Sequence, residues 1–328
     1  MTEVILHSCP VCRTSLELDD LFCPNCGRES PVQKPPPNGS PSATLGLPTR
    51  REFSCEGCGA SMSYDPSVQS LRCPYCGSVK IERRESQGLL RPDGVVPFSV
   101  DEKAVRTLLR THLTKSWFSP GDLLREGTLV KIEPVYVPCW VFSAQTATQW
   151  TADVADVPLG ANGTWRPVYG EHQGEYSAIF VPASRVLSLE EMDSLGNFDL
   201  TEAVGPEILE GGSAFVELFT IPRKYARSFA AEKIRRLEAE TCRRKFLQAG
   251  HRNLNVNVTI THLSGRPYLV PVWVLAYRYR GKVFRFLVNG QTGLVTGRVP
   301  ISWTKVTVYV LAAMTAIVAV AMLSRVLG

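Results

Sequence analysis

Motifs of nucleotide and hydrolytic chemistry are missing from this 328-residue chain. It holds no GxxxxGKS/T phosphate loop, no HExxH pair, no GxSxG elbow and no GxGxxG fingerprint. The sequence grounds for a P-loop NTPase, a zincin, an α/β-hydrolase or a dinucleotide enzyme are therefore absent. Histidine is scarce: His7, His112, His172, His251 and His262 are scattered through unrelated segments. His172 beside Glu171 in YGEHQGEY could serve acid–base chemistry, but an exposed polar turn or strand is the plainer reading. An excess of one charge sign is also lacking, since 36 basic residues stand against 31 acidic ones for a net charge of +5. That balance does not announce a nucleic-acid protein, and 44% apolar with 20% charged residues exclude a wholly disordered chain.

Cysteine is plentiful. Eight of the ten form four Cys-x-x-Cys pairs within the first 76 residues, as Cys9, Cys12, Cys23 and Cys26, then Cys55, Cys58, Cys73 and Cys76. Two residues between cysteines make a tight knuckle that aims both sulfurs at one point. Two knuckles supply four thiolates for a closed tetrahedral site, so two structural zinc ions are expected. A rubredoxin-like iron centre and a thioredoxin-like redox pair are the rival readings. A closed shell of four cysteines leaves no open coordination position, so neither metal is expected to be catalytic. Gly27, Gly59 and Gly77 follow their knuckles, where a positive-φ turn lets backbone N–H groups approach the sulfurs. Between the two modules, six prolines (Pro31, Pro35, Pro36, Pro37, Pro41 and Pro48) read as an extended spacer.

The stretch FSCEGCGASMSYDPSVQSLRCPYCGS, Phe53 to Ser78, resembles a TFIIB-type zinc ribbon, and LFCPNCGRES resembles the short ribbons that head many bacterial membrane proteins. Downstream, GVVPFSVDEKAV, EPVYVPCWVF, PYLVPVWVLAYRYRGKVFRF and VNGQTGLVTG resemble the body of a bacterial family described as TFIIB-type zinc-ribbon-containing membrane proteins. The resemblance implies zinc at both quartets, a cytosolic body and a membrane anchor. It implies no catalytic residue.

The expected fold class is α+β: ribbon 1 over 1–29, a Pro-rich linker over 30–50, ribbon 2 over 51–85, an α+β body over 90–302 and a transmembrane helix over 306–324. Ribbon 2 is not expected to share the body's core. Ser99 and Glu102 read as a capping box before a helix with Val105, Leu108, Leu109 and Leu113 on one face. Leu254, Val256, Val258 and Ile260 alternate with polar residues as a half-buried strand, and Lys282 to Gly297 reads as a hairpin. Pro134, Val137, Pro138, Trp140 and Val141 recur 133 residues later as Pro267, Val270, Pro271, Trp273 and Val274, which points to two related halves. Prolines suggest edges or bulges for both strands, and the two tryptophans read as core. Cys139 and Cys242 read as ordinary lone cysteines.

Val306 to Ser324 carries no charge over nineteen residues, about 28 Å of helix, which predicts a single-pass anchor in the cell membrane with the N-terminal bulk in the cytosol. No secretory leader is expected. From Lys224 to Lys245, eight basic residues stand against Glu232, Glu238 and Glu240. Anionic lipid at Lys224, Arg235, Arg236, Arg243 and Arg244 is one reading, and a solvated helix face with Ile234, Leu237 and Phe246 behind it is the other. The functional expectation is a tail-anchored, cytosol-facing adaptor that holds a protein partner at the bilayer. A membrane-tethered nucleic-acid-binding regulator is the alternative, and an unrecognised enzyme the third reading. Nucleic acid is not the expected partner.

Overall fold

The computed structural model describes residues 7–11, 15–16, 23, 28, 44–45, 50–66, 71–84, 89–155, 164–210, 212–247 and 250–327. In chain order the elements are strands β1 (Arg51–Cys55), β2 (Ser61–Tyr64), β3 (Ile81–Arg84) and β4 (Gly94–Val95), then helices α1 (Glu102–Lys115) and α2 (Leu123–Glu126). The long strands β5 (Thr128–Ala155) and β6 (Trp165–Pro182) follow, then α3 (Leu189–Ser194), β7 (Phe215–Glu217), α4 (Arg223–Phe246) and β8 (His251–Tyr279). Strands β9 (Lys282–Asn289) and β10 (Val295–Gly297) and helix α5 (Trp303–Leu327) complete the series.

The expected fold class is corrected. The described chain is mainly one large mixed sheet of ten strands in the order β10-β9-β8-β5-β7-β2-β1-β3, with β6 joined to β5 and β4 to β8. The three strands of ribbon 2 are the end of this sheet, because β7 pairs antiparallel with β2 and parallel with β5. Residues 135–142 of β5 are buried on both faces. Val135, Val137, Cys139 and Val141 pack with the ribbon's Phe53, Met62 and Tyr75 and with Met192 of α3. On the other face Trp140 and Phe142 pack under α4, while Trp273 of β8 packs under α1. A continuous apolar run is what a strand covered on both faces requires. The expectation that ribbon 2 keeps a separate core is therefore corrected.

The repeat at 133 residues has a geometric counterpart. β5 and β8 pair antiparallel with Val137 opposite Val270, Pro134 opposite Trp273 and Trp140 opposite Pro267, so the two copies meet about a local two-fold. Trp140 Nε1 donates to the carbonyl of Ile221 at 2.8 Å, and Trp273 Nε1 to that of Val100 at 2.9 Å. Each carbonyl lies just before a helix, α4 or α1. Phe219 and Phe98 meet these indoles edge-on at 5.4 and 5.3 Å. The backbone N–H groups of Thr220 and Ile221 both reach Ala183 O, and those of Ser99 and Val100 both reach Gly290 O. Ser99 is thus not the cap of α1; Asp101 accepts from Ala104 N at 2.7 Å.

The prolines are central, against the expectation of edges. Pro138 O accepts from Ala183 N and Pro271 O from Gly290 N, so these residues turn their backbone edges away from the opposite long strand. They sit where one flanking strand ends and another begins: β7 pairs at Val135 and Tyr136, and β6 reaches Cys139. No ladder donor is needed at such a gap, so the missing N–H is harmless.

The membrane span expected over 306–324 is also corrected, and with it the tail anchor, the bilayer contact and the single-pass localisation. Among the described residues no helix is long and apolar enough to cross a membrane. Helix α5 opens against the body: Lys305 Nζ donates to Ser119 O at 2.8 Å and Trp117 O at 3.3 Å, and Tyr309 meets the Phe118 ring at 5.8 Å. Its apolar stretch with described side chains, Val306 to Val318, measures about 20 Å against the roughly 30 Å of a hydrocarbon core. Side chains from 319 onward lie outside the described residues.

Arg50 fastens the ribbon to the body. Its buried guanidinium donates to Ser63 Oγ and O, Leu209 O, Gly212 O and Ala214 O, between 2.6 and 3.2 Å. Burial lowers its pKa from the usual arginine value, opposed by Asp65. Arg50→Met removes every donor and leaves buried carbonyls unpaired, so a loss on the order of 3 kcal/mol is expected in urea unfolding. A loss under about 1 kcal/mol would show that water replaces the guanidinium.

Candidate metal centre

Ribbon 2 forms because two short knuckles present their sulfurs from adjoining turns. Cys55 N donates to Ala60 O at 2.8 Å and Cys73 N to Ser78 O at 3.0 Å, closing two equivalent loops. Gly59 (φ 76°) and Gly77 (φ 73°) return their N–H groups to Cys55 O and Cys73 O. A side chain at either position would be strained by that left-handed backbone. Cys55 and Cys73 are buried toward the body, and Cys58 and Cys76 are exposed.

The four sulfurs converge. Cys55 Sγ and Cys76 Sγ lie 3.5 Å apart, as do Cys58 Sγ and Cys73 Sγ, and all four fall within 4.8 Å of one another. A tetrahedral centre with bonds of about 2.3 Å has S···S edges near 3.8 Å, so the quartet fits a metal ion. Without a cation the cluster is poorly suited to thiolates. Burial pushes the Cys58 thiol up to about 11 and raises Cys73 further, each aided by a neighbouring cysteine. Burial opposes the thiolate at Cys55 too, yet N–H groups of Cys58 and Gly57 with the Cys76 thiol hold that pKa below its usual value.

Quartet 1 is only partly visible. Cys9 and Cys23 are buried, and Cys23 N donates to Arg28 O at 2.6 Å with the same five-residue reach as in ribbon 2. Cys12 and Cys26 lie outside the described residues, as does most of the proline spacer.

Sequence reasoning missed the carboxyl behind the centre. Glu217 of β7 is fully buried at the ribbon–body junction, and Tyr75, from the second knuckle, donates to its Oε2 at 2.7 Å. Burial pushes the Glu217 pKa up to about 7, against the pull of the Ser184 and Tyr75 hydroxyls and the Arg285 guanidinium. The same burial, with Glu217 beside it, raises Tyr75 well above its usual value and also raises the Cys139 thiol. Only the alternation of FVE within a three-residue strand hinted at Glu217, too short a signal to read.

A second buried carboxyl explains His172. Glu238 of α4 accepts from Thr146 Oγ1 at 2.5 Å and Tyr176 OH at 2.9 Å, and His172 Nε2 lies 3.8 Å from its other oxygen. His172 therefore faces α4, on the opposite side of β6 from Glu171, whose carboxylate takes Gln149 Nε2 at 3.3 Å. On α4, Ile234 is buried, Leu237 is half-buried, and Phe246 is 41% exposed and stacked on Trp150. Lys224, Arg235, Arg236, Arg243 and Arg244 are all exposed. Arg236 pairs with Asp193 at 2.9 Å and Arg235 faces Glu232 at 3.9 Å, which dilutes the basic field.

Among curated proteins, the chain is similar to the uncharacterized protein YdjG of Bacillus subtilis (strain 168). The two are 24% identical over 317 residues, covering 92% of each chain. No family model matches the chain, and no solved structure does.

The sign of the Glu217 effect follows from its raised pKa. The folded state holds this proton up to about pH 7, whereas the unfolded chain releases it near the ordinary glutamate value, so stability falls as pH rises between them. Wild-type unfolding free energy should drop by about 2 to 3 kcal/mol from pH 5 to pH 8 through this group. Glu217→Gln should flatten that fall and be the more stable form at pH 8. Parallel profiles for both proteins would contradict the assignment.

Proposed function

We propose that the protein is a zinc-ribbon adaptor that holds a protein partner, with structural zinc in both cysteine quartets. The observation that carries the reading is the union of ribbon 2 with the body's sheet through β2 and β7. A metal-stapled ribbon continuous with a large sheet is a rigid display surface, and its outward side carries Cys58, Cys76 and the exposed Val79. A closed thiolate shell suits zinc or iron and leaves no position for a substrate. The likeness of Phe53 to Ser78 to TFIIB-type ribbons favours zinc. Recognition rather than chemistry is thus the role these parts support. Nucleic acid is the weaker partner, because the ribbon's basic residues are few and not interleaved with aromatics.

Metal analysis of the purified full chain should return two zinc ions per polypeptide; a ratio near one, or iron as the main metal, would contradict the assignment. Cys73→Ser should lose one ion and lower the main thermal transition by about 10 °C, because the ribbon shares the body's core. A photo-crosslinking side chain at Val79 in living cells should capture a discrete protein, and the capture should vanish in Cys73→Ser. Capture of nucleic acid instead would sink the adaptor reading.

A further inference from the structure

Three buried polar atoms without a hydrogen-bond partner among the described residues border one histidine on the α4 side of β6. They are Glu238 Oε2, Thr148 Oγ1 and Trp150 Nε1. Glu238 Oε2 lies 3.8 Å from His172 Nε2. Thr148 stands directly opposite His172 in the β5–β6 ladder, so both side chains share a face. Trp150 stands opposite Gly170, where a Cβ would come within 3.0 Å of Nε1, so the indole nitrogen lies over the strand two residues from His172. Phe246 closes the group, stacked on Trp150 and 5.9 Å from the His172 ring. Native proteins leave few buried polar groups unpaired, and three beside one titratable side chain call for an explanation.

We infer that His172 is a proton-operated latch for the C-terminal half of α4, in which an imidazolium pairs with the Glu238 carboxylate and draws the helix onto β5 and β6. Glu238 takes the Thr146 and Tyr176 hydroxyls on Oε1, so Oε2 faces His172 with no hydrogen bond of its own. A neutral imidazole has one N–H and must divide its two nitrogens between this acceptor and the Trp150 or Thr148 donor. Protonation makes both nitrogens donors and gives the buried carboxylate a counter-charge. Glu238 has no exposed surface, whereas the His172 side chain is 15% exposed, which gives the proton a route from solvent. The other titratable groups on this face are Tyr176 of β6 and Cys242 of α4, while β5 brings only Thr146, Thr148 and Trp150. Glu171 and Glu175 lie on the opposite face of β6, and Arg243, Arg244 and Lys245 of the last turn of α4 are exposed. The pair exists only in the folded chain, so its contribution is full where histidine is charged and is lost as pH rises through the histidine range. Above that range the end of α4 is held by apolar packing and the two hydroxyls.

The test is hydrogen exchange on the full chain at about pH 5 and about pH 8, the limits between which histidine changes charge, corrected for intrinsic rates. Protection over 238–246 in the wild type should gain about fivefold or more at the lower pH, beyond any gain in His172→Gln. Glu217 titrates in both proteins, so its effect cancels from that comparison. Glu238→Gln keeps the acceptor for Thr146 and Tyr176 but not the charge, and it should behave as His172→Gln does. Should His172→Gln fail to fold, Glu238→Gln supplies the same comparison. Equal pH dependence in the wild type and either folded variant would overturn the latch, as would wild-type protection over 238–246 that rises toward the higher pH.

Discussion

A tyrosine from a cysteine knuckle donating to a carboxyl with no exposed surface is the contact on which the architecture turns. Tyr75 and Glu217 lie where the ribbon's last shared strand meets the body. Burying a carboxyl there is costly unless it is protonated or well bonded, and its raised pKa shows that protonation carries part of that cost. The site has no exposed surface, with Phe53, Met62 and Tyr75 in the buried cluster on one side and Val135, Val137 and Cys139 on the other. Knuckle, carboxyl and sheet are therefore one packed unit. Cys73 and Cys76 bracket Tyr75, so the cysteine quartet and the buried hydrogen bond to Glu217 share one turn.

The second organising feature is the local two-fold between β5 and β8. Each half contributes a short parallel strand, a Phe-Ser-Val or Phe-Thr-Ile entry, a helix and a long strand whose tryptophan clamps the other half's entry. The halves then diverge. α1 stops after 14 residues, whereas α4 runs for 24 and covers the outer ends of β5, β6 and β8. The extra turns of α4 bring Glu238 over Thr146 and His172 and lay Phe246 on Trp150. Ribbon 2 continues the sheet through β7, and its Phe53, Met62 and Tyr75 pack on one face of β5, while α4 covers the other face.

Local signals were legible and long-range ones were not. The knuckles could be read because Cys-x-x-Cys spacing with a trailing glycine has one geometric meaning, and the quartet Cys55, Cys58, Cys73 and Cys76 closes accordingly. The 133-residue repeat was visible, but not that its copies pair with each other, since antiparallel register leaves no mark in a single strand. Prolines misled, because a gap between two flanking strands spares a central strand the donor that proline lacks. Ribbon 2 looked separate because a proline spacer precedes it, yet its fusion depends on β7, about 150 residues downstream. The uncharged run near the C-terminus read as a membrane span on length alone; Lys305 and Tyr309 instead tie its first turns to the body.

Hydrogen exchange on the full chain, before and after chelation of its metal, tests most directly whether ribbon and body are one unit. The account predicts that removing the ion speeds exchange not only over 51–84 but also at Phe215–Glu217 and at the facing Val135 and Tyr136 of β5, which share the ribbon's sheet. Faster exchange confined to 51–84, with β7 and β5 as protected as before, would contradict it.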